Sequence, residues 1–538
     1  AGGAGGAGGA GGAGGAGGVG GLGAAASHAG TIWAGEPTPG SGRTPVCART
    51  SVTRVDPVYV TRVPGAVIVS DRATWAAWTA GRLDDHDPLH VCALLNPGFP
   101  LGAATPFDGV SALSPATTLH VLSGELTRIP ARTGTEVPGI ARDTEAAGQF
   151  PGQPADGALA GGARAVAEAL VAAVTPLRAA GGPVELSLTG GKDSRLIAAA
   201  LVAAGVPVMA RTHGFADHPD VVVAAEIARR LRIEHLVRTP AAPGQEVDVL
   251  ARIRATVLVA DGMLSAFENV GRPDPPPSAV ITAGGHGGEL LRGGYAETAA
   301  GKPRTGGGLR AAVGPARRAV RGAEMFRRLT AKHLSLLRRG PAVGYVASLA
   351  PWSAALARGP LPALDDFYLV NRAGRWSAAA RQAYLIRERL EQPLFDDRVV
   401  LAARAVPLAD RVSGRLSAAV LAELCPALTD VPLAGKPPAR GGQSPADAAN
   451  GTANGAGQAP FDWRRQYGEV ISSFLRDYIL DLGAAGGLFD VVSRPAAEKL
   501  LTPPHADRAS VWALATLACL LSGDYRHARD PSPHLSVS

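Results

Sequence analysis

The chain has 538 residues, 46% hydrophobic and 18% charged, a balance that excludes a disordered chain and is long enough for two or three domains with full cores. Its formal charge of +7 comes almost entirely from arginine, with lysine only at positions 192, 302, 332, 436 and 499; this compositional bias makes the charge weak support for a polyanionic partner, and nucleic acid is not expected as a ligand. Cys47, Cys92, Cys425 and Cys519 have no metal-ligand spacing and read as small buried side chains of a cytoplasmic protein, while the apolar run Val511 to Leu521 is too short to span a bilayer, so neither a membrane partner nor a signal peptide is expected.

The first segment, 1–26, is largely an Ala-Gly-Gly repeat that cannot bury a core and is expected to be disordered. Over 27–150, short β-like runs are separated by turn residues: Pro57 to Arg62, Ala66 to Ser70, Val91 to Leu95 and Thr118 to Leu122, with a helical segment at Arg72 to Ala80. That spacing predicts a β-rich, sandwich-like domain. Pro138 to Gly162, rich in Gly, Pro and small residues, reads as a domain boundary.

A helix over Ala163 to Ala180 leads to the stretch VELSLTGGKDSRLIAAA. Val184, Leu186 and Leu188 make a strand, and Leu196 to Gly205 an Ala-rich buried helix with a glycine stop. Between them, Thr189-Gly190-Gly191-Lys192-Asp193-Ser194 turns sharply and ends at a helix start, where unpaired N–H groups and the helix dipole favour phosphate. Ser187, Thr189, Gly190, Gly191, Lys192, Asp193 and Ser194 are therefore the candidate nucleotide-binding residues, with Asp193 able to face a divalent cation that escorts the phosphate. The loop lacks the GxxxxGK[ST] spacing of the other common phosphate loop.

Strands at Val206 to Thr212 and Ile233 to Val237 flank a helix over Val221 to Leu231, with Asp217 and Asp220 placed at its first turn. Strands alternating with helices indicate an α/β domain, 160–434, with a parallel sheet flanked by helices and ligand sites at the strand carboxyl ends. His235 reads as a core or rim histidine. A second glycine cluster, AVITAGGHGGELLRGGY over Ala279 to Tyr295, again follows an apolar strand; Gly285 and Gly287 allow close backbone approach and Glu289 offers an anionic oxygen. Lys302 to Arg339 holds eleven Lys or Arg against Glu324 alone, most simply the solvated face of surface helices. Segment 435–460 is low-complexity and reads as a mobile loop, and 461–538 as helices capping the core.

The loop Thr189 to Ser194 resembles the [ST]-G-G-x-D-S loop of the PP-loop ATP pyrophosphatases. Glu289 with Gly293-Gly294-Tyr295 resembles the GxGxDE…GGY segment of the asparagine synthetase family, and Glu391 to Val400 its R-x-P-F-L-D-x-R-L-V stretch. The resemblance spans about 57–435. It implies ATP cleaved between the α and β phosphates, with Mg2+ shared by Asp193 and Glu289, the latter standing at the family's aspartate and His286 at its first acidic position. It also implies a general base near Asp261 or Glu268, and a cation on the departing pyrophosphate, for which Arg415 or Lys436 is the candidate. Asp396 and Arg398 match an acidic and a basic position and read chiefly as a structural pair.

Val69 to Arg72, Thr105 to Val110 and Leu119 to Gly124 resemble pieces of the family's amino-terminal glutaminase domain, whose catalytic cysteine is the first residue of the mature chain. Here the first residue is alanine and Cys47 is internal, so no glutaminase activity is expected. The resemblance thus implies an ATP-dependent, AMP-forming amide synthetase joining a carboxylate to an amine or ammonia, as in the β-lactam synthetase and lasso-peptide cyclase branches. Asparagine formation itself and a catalytically silent scaffold are the alternatives.

Overall fold

The computed structural model describes residues 31–34, 46–122, 125–130, 156–239, 248–270, 280–301, 314–386, 388–434, 468–503 and 507–527. The segments 1–26 and 435–460, most of the 138–162 boundary, and the start of the basic run lie outside the described residues.

Two antiparallel sheets form the N-terminal region. One has the order β1 (Thr31–Ala34), β2 (Val46–Arg49), β6 (Thr117–Leu122), β7 (Glu125–Pro130); the other has the order β4 (Ala66–Ser70), β3 (Tyr59–Val63), β5 (Val110–Ala112). Strict alternation along β6 buries Leu119 and Val121, which join Ala48, Val58, Val60 and Leu113 in one apolar cluster. The sandwich-like expectation holds. Cys47 is 2% exposed on β2, with its Sγ 3.5 Å from His120 Nδ1.

Val91 to Leu95 is not a strand. It belongs to the helix Pro88–Leu95, with Pro88 in its first turn and the Asp87 side chain accepting from Leu89 N–H. The run is apolar on all sides because the helix is buried on all sides: it packs in one cluster with Val249–Val259, Glu469–Ala485 and Arg508–Leu521. In that cluster Arg508–Leu521 is buried continuously from Ser510 to Leu520, Trp512 included, so it is a central helix of the core and not an outer cap.

The α/β part is a five-stranded parallel sheet in the order β10 (Glu234–Arg238), β9 (Val208–His213), β8 (Val184–Ser187), β11 (Ile281–Ala283), β12 (Arg389–Glu391). From β8 the chain runs outward to β9 and β10, then returns to β8's other side as β11. This reversal opens a crevice at the carboxyl ends of β8 and β11, the strands that carry the two glycine loops. Helix Asp156–Val174 packs against Asp397–Ala405 and Arg415–Leu424 and buries Ala163, Val166, Leu170 and Val174 against the sheet's core. Leu159–Ala179, this helix with the turn that follows it, is the one segment among the described residues long and apolar enough to cross a membrane.

Facing the crevice from the far side is Tyr368–Ser377, a π-helical stretch between helices Pro360–Phe367 and Ala378–Leu385. Such i→i+5 geometry is rare and recurs at functional sites.

Candidate active site

The strand–loop–helix expected around Thr189 is present. Gly191 caps helix Lys192–Ala203 with no side chain, so no capping group occupies the first-turn N–H groups. The loop is fixed from within: Ser194 Oγ donates to Thr189 O and accepts from Thr189 N–H, each at 3.1 Å. It is also fixed from outside. Arg195, 3% exposed, donates to the carbonyls of Gly191 (3.1 Å), Gly190 (3.1 Å), Val431 (2.9 Å) and Pro432 (3.0 Å). Binding the carbonyls of Gly190 and Gly191 from behind leaves the helix start to the crevice. Arg195 was not singled out from the sequence, where it reads as one more arginine entering a helix.

The second loop closes against the first. A Cβ at Gly285 would lie 2.6 Å from Ser194 N, and one at Gly288 would collide with the Asp193 carboxylate, so the two bends touch only because both positions are glycine. Between these bends and Tyr368–Ser377 lies a cavity of about 630 Å³, a volume ordinary for a small-molecule site. Of the residues proposed from sequence, Ser187, Thr189, Gly191, Lys192, Asp193, Ser194, Gly285, Gly287, His286 and Glu289 line it. Gly190 does not: its N–H donates to Asp220 Oδ1 at 3.1 Å and its carbonyl accepts from Ala434 N–H at 3.1 Å, which makes it part of the loop's support.

Three other proposals fall away from the cavity. Asp261 is 1% exposed, in a left-handed turn, and accepts from Arg72 Nη2 (2.6 Å), Ala73 N–H (2.9 Å) and Thr74 Oγ1 (2.8 Å). It is an anchor for helix Ala73–Thr79; a carboxylate so fully engaged is not placed to take a proton from substrate. Glu268, in a one-turn helix, is likewise outside the lining. Arg415 opens helix Arg415–Leu424 and pairs with Asp410 at 2.8 Å, outside the lining as well. Lys436 lies outside the described residues. Asp396 and Arg398 form the expected structural pair at 2.9 Å, with Asp396 also capping helix Asp397–Ala405 through Arg398 N–H. Helix Pro219–Leu231, after β9, is capped by His218, whose ring accepts from Asp220 N–H, and not by Asp217. His235 sits at the sheet rim, 2.9 Å from Thr212 Oγ1.

Lys192 on the glycine side and Arg372 on the far wall are lining cations that the structure does bring together. Arg372 lies 3.4 Å from the centroid of the Trp376 ring. Burial and the negative charge of Glu289 push the Tyr368 hydroxyl well above the usual range, so it keeps its proton and donates to Glu289. Burial lowers the His286 imidazole below its ordinary value, against the opposing pull of Glu289 and Asp193, and keeps it neutral. Burial raises the Asp193 carboxyl more than the hydrogen bond and charge of Arg292 lower it.

Asp193 and Glu289 share the cavity, and among the described residues no third His, Cys, Asp or Glu completes a metal cage. That donor set fits Mg2+ brought in with phosphates, which needs one or two protein carboxylates, and does not fit a resident metal held by protein alone.

Residues 165–339 match the asparagine synthase family. No curated protein matches the chain.

Proposed function

We propose that this asparagine synthase domain binds ATP with Mg2+ across its two glycine bends, adenylates a carboxylate, and passes the acyl group to an amine or to ammonia. The observation that carries the reading is the convergence, on one cavity at the reversal of strand order, of the helix start at Lys192 to Ser194 and the carboxylates Asp193 and Glu289.

The triphosphate lies along the first-turn N–H groups, where a helix N-terminus stabilises anions. Asp193 and Glu289 would hold Mg2+, which would supply shielding of the phosphate charge from the approaching carboxylate. That carboxylate attacks the α-phosphorus and pyrophosphate departs. Lys192, within the loop, supplies the charge neutralisation expected of Arg415 or Lys436, and its effect belongs mainly in turnover. The amine then attacks the acyl carbon, AMP leaves, and the amine's surplus proton needs an acceptor. With Asp261 and Glu268 outside the cavity, neutral His286 takes that role.

Cys47, buried inside strand β2 between its two neighbouring strands, is not placed to act as a nucleophile toward glutamine. Four free thiols accord with a reducing cytoplasm.

Exchange of labelled pyrophosphate into ATP tests the reading. Exchange that depends on an added amino-acid or peptide carboxylate, with AMP as the nucleotide product, supports it. Production of ADP and phosphate, or exchange that depends only on RNA, contradicts it.

A further inference from the structure

Asp193, the carboxylate the nucleotide complex requires, already has a partner. Arg292 donates to both of its oxygens, through Nη1 to Oδ1 and through Nη2 to Oδ2 at 3.2 Å, and its Nε donates to Glu297 Oε2 at 2.9 Å. The arginine side chain is 10% exposed and does not line the cavity, whereas Asp193 and Glu297 do. The guanidinium therefore stands behind the carboxylate, not in the space a ligand would fill. Lys192 Nζ approaches the same Glu297 at 3.9 Å.

This arrangement sets the charge the cavity offers a cation. Asp193, Glu289 and Glu297 are offset by Arg292, Lys192 and, on the far wall, Arg372, three carboxylates against three cations. An ionised carboxylate has about four lone-pair positions, so it can keep a two-pronged arginine on one side and still present an oxygen on the other. Much of its pull on a bare, hydrated divalent ion is nonetheless cancelled by the adjacent positive charge. Nucleotide phosphates supply the missing negative charge.

We propose that Arg292 is a positioning residue that holds Asp193 toward the cavity and cancels its charge, so that the site rejects a bare divalent cation and accepts one only together with a nucleotide's phosphates. This rests on the reading that Asp193 and Glu289 take Mg2+ with ATP. Its consequence is ordered entry: free metal does not occupy the site and does not draw in water-exposed anions other than the nucleotide.

The test is a titration of the full chain with Mn2+, followed by electron paramagnetic resonance, with and without α,β-methylene-ATP. The wild-type chain should hold Mn2+ alone only at roughly millimolar concentration and much more tightly with the nucleotide. In Arg292→Gln, affinity for Mn2+ alone should rise by about tenfold or more, because the carboxylate's charge is uncovered. That gain should vanish in the Arg292→Gln, Asp193→Asn double variant. Arg292→Lys keeps the charge but loses the fork; it should still reject Mn2+ alone while binding the Mn2+–nucleotide complex more weakly. A gain of metal binding is not a result that mere loss of structure produces. If Arg292→Gln binds Mn2+ alone no more tightly than wild type, or if Arg292→Lys matches wild type in both titrations, the inference is overturned. If the wild-type chain fails to bind Mn2+ with the nucleotide, the underlying reading of the site falls, and this inference with it.

Discussion

The two walls of the cavity are built in opposite ways. The glycine wall is local: each bend follows its own strand within a few residues, and its shape comes from backbone turns and from the absence of side chains at Gly285 and Gly288. The far wall is assembled from a distance. Arg54, 1% exposed, donates to Val370 O (3.1 Å) and Gly374 O (3.2 Å) on the π-helical stretch and to Gly102 O (3.0 Å) and Leu113 O (3.2 Å) of the N-terminal region. Asn371 Oδ1 accepts from Gly102 N–H at 2.8 Å, and Arg375 donates to Ala104 O. The N-terminal sandwich thus buttresses the wall that carries Tyr368, Arg372 and Trp376. A fixed local turn suffices to turn backbone N–H groups toward an anion; the far wall is held by a separate layer of the fold.

Substitutions can break this contrast one wall at a time. The largest effect on ligand binding is expected from Gly288→Ala, whose methyl group would displace the Asp193 carboxylate. Affinity for Mg2+–ATP should fall by about 100-fold or more in calorimetry, with thermal stability little changed. Arg54→Met should do the reverse. It leaves four carbonyls without their buried donor, a loss of about 3–5 kcal/mol in stability read from urea unfolding, while nucleotide affinity of the folded protein stays within about twofold. A Gly288→Ala variant that binds ATP normally, or an Arg54→Met variant that loses nucleotide binding at unchanged stability, would collapse the distinction.

A smaller effect tests the seam between the layers. Asp397 accepts from Val52 N–H at 2.8 Å, and its burial, outweighing that hydrogen bond, pushes its carboxyl from 3.8 to about 6. The folded state therefore favours the protonated form: this contribution is fully present below pH 3.8 and is lost as pH rises through about 6. Asp397→Asn, which keeps an acceptor for Val52, should remove that dependence and stabilise the protein by roughly 1 kcal/mol at pH 7, measured by unfolding at pH 5 and pH 7. An unchanged pH slope in the variant would remove Asp397 from the seam's energetics.

The same contrast explains how much could be read before the fold was known. Strand β8, its loop and helix Lys192–Ala203 announce themselves because the change from alternating to helical periodicity and the paired glycines fall within one short stretch. The second bend and Glu289 are legible for the same reason. Arg292 stands in that quoted segment as a charge inside the run ELLRGG, a signal that was present but has no meaning until Asp193 is seen against it. Arg54 carries no local signal, since its partners on the far wall are hundreds of residues away; Arg372 and Trp376 stack on each other within one helical stretch, but only the fold sets that stretch opposite the glycine bends. Val91 to Leu95 reads as a strand because a short apolar run is the same for a buried strand and a fully buried helix; Asp87-Pro88 before it marks the helix start. The resemblance points to Asp261 and Arg415 only by their neighbourhood in sequence, and each is held by a structural ion pair instead.

The most direct test of the account is a crystal structure with Mn2+ and α,β-methylene-ATP. It should show the triphosphate over the amides of Lys192 to Ser194 and anomalous scattering from a metal in contact with both Asp193 and Glu289. Nucleotide bound elsewhere, or a metal touching neither carboxylate, would contradict it.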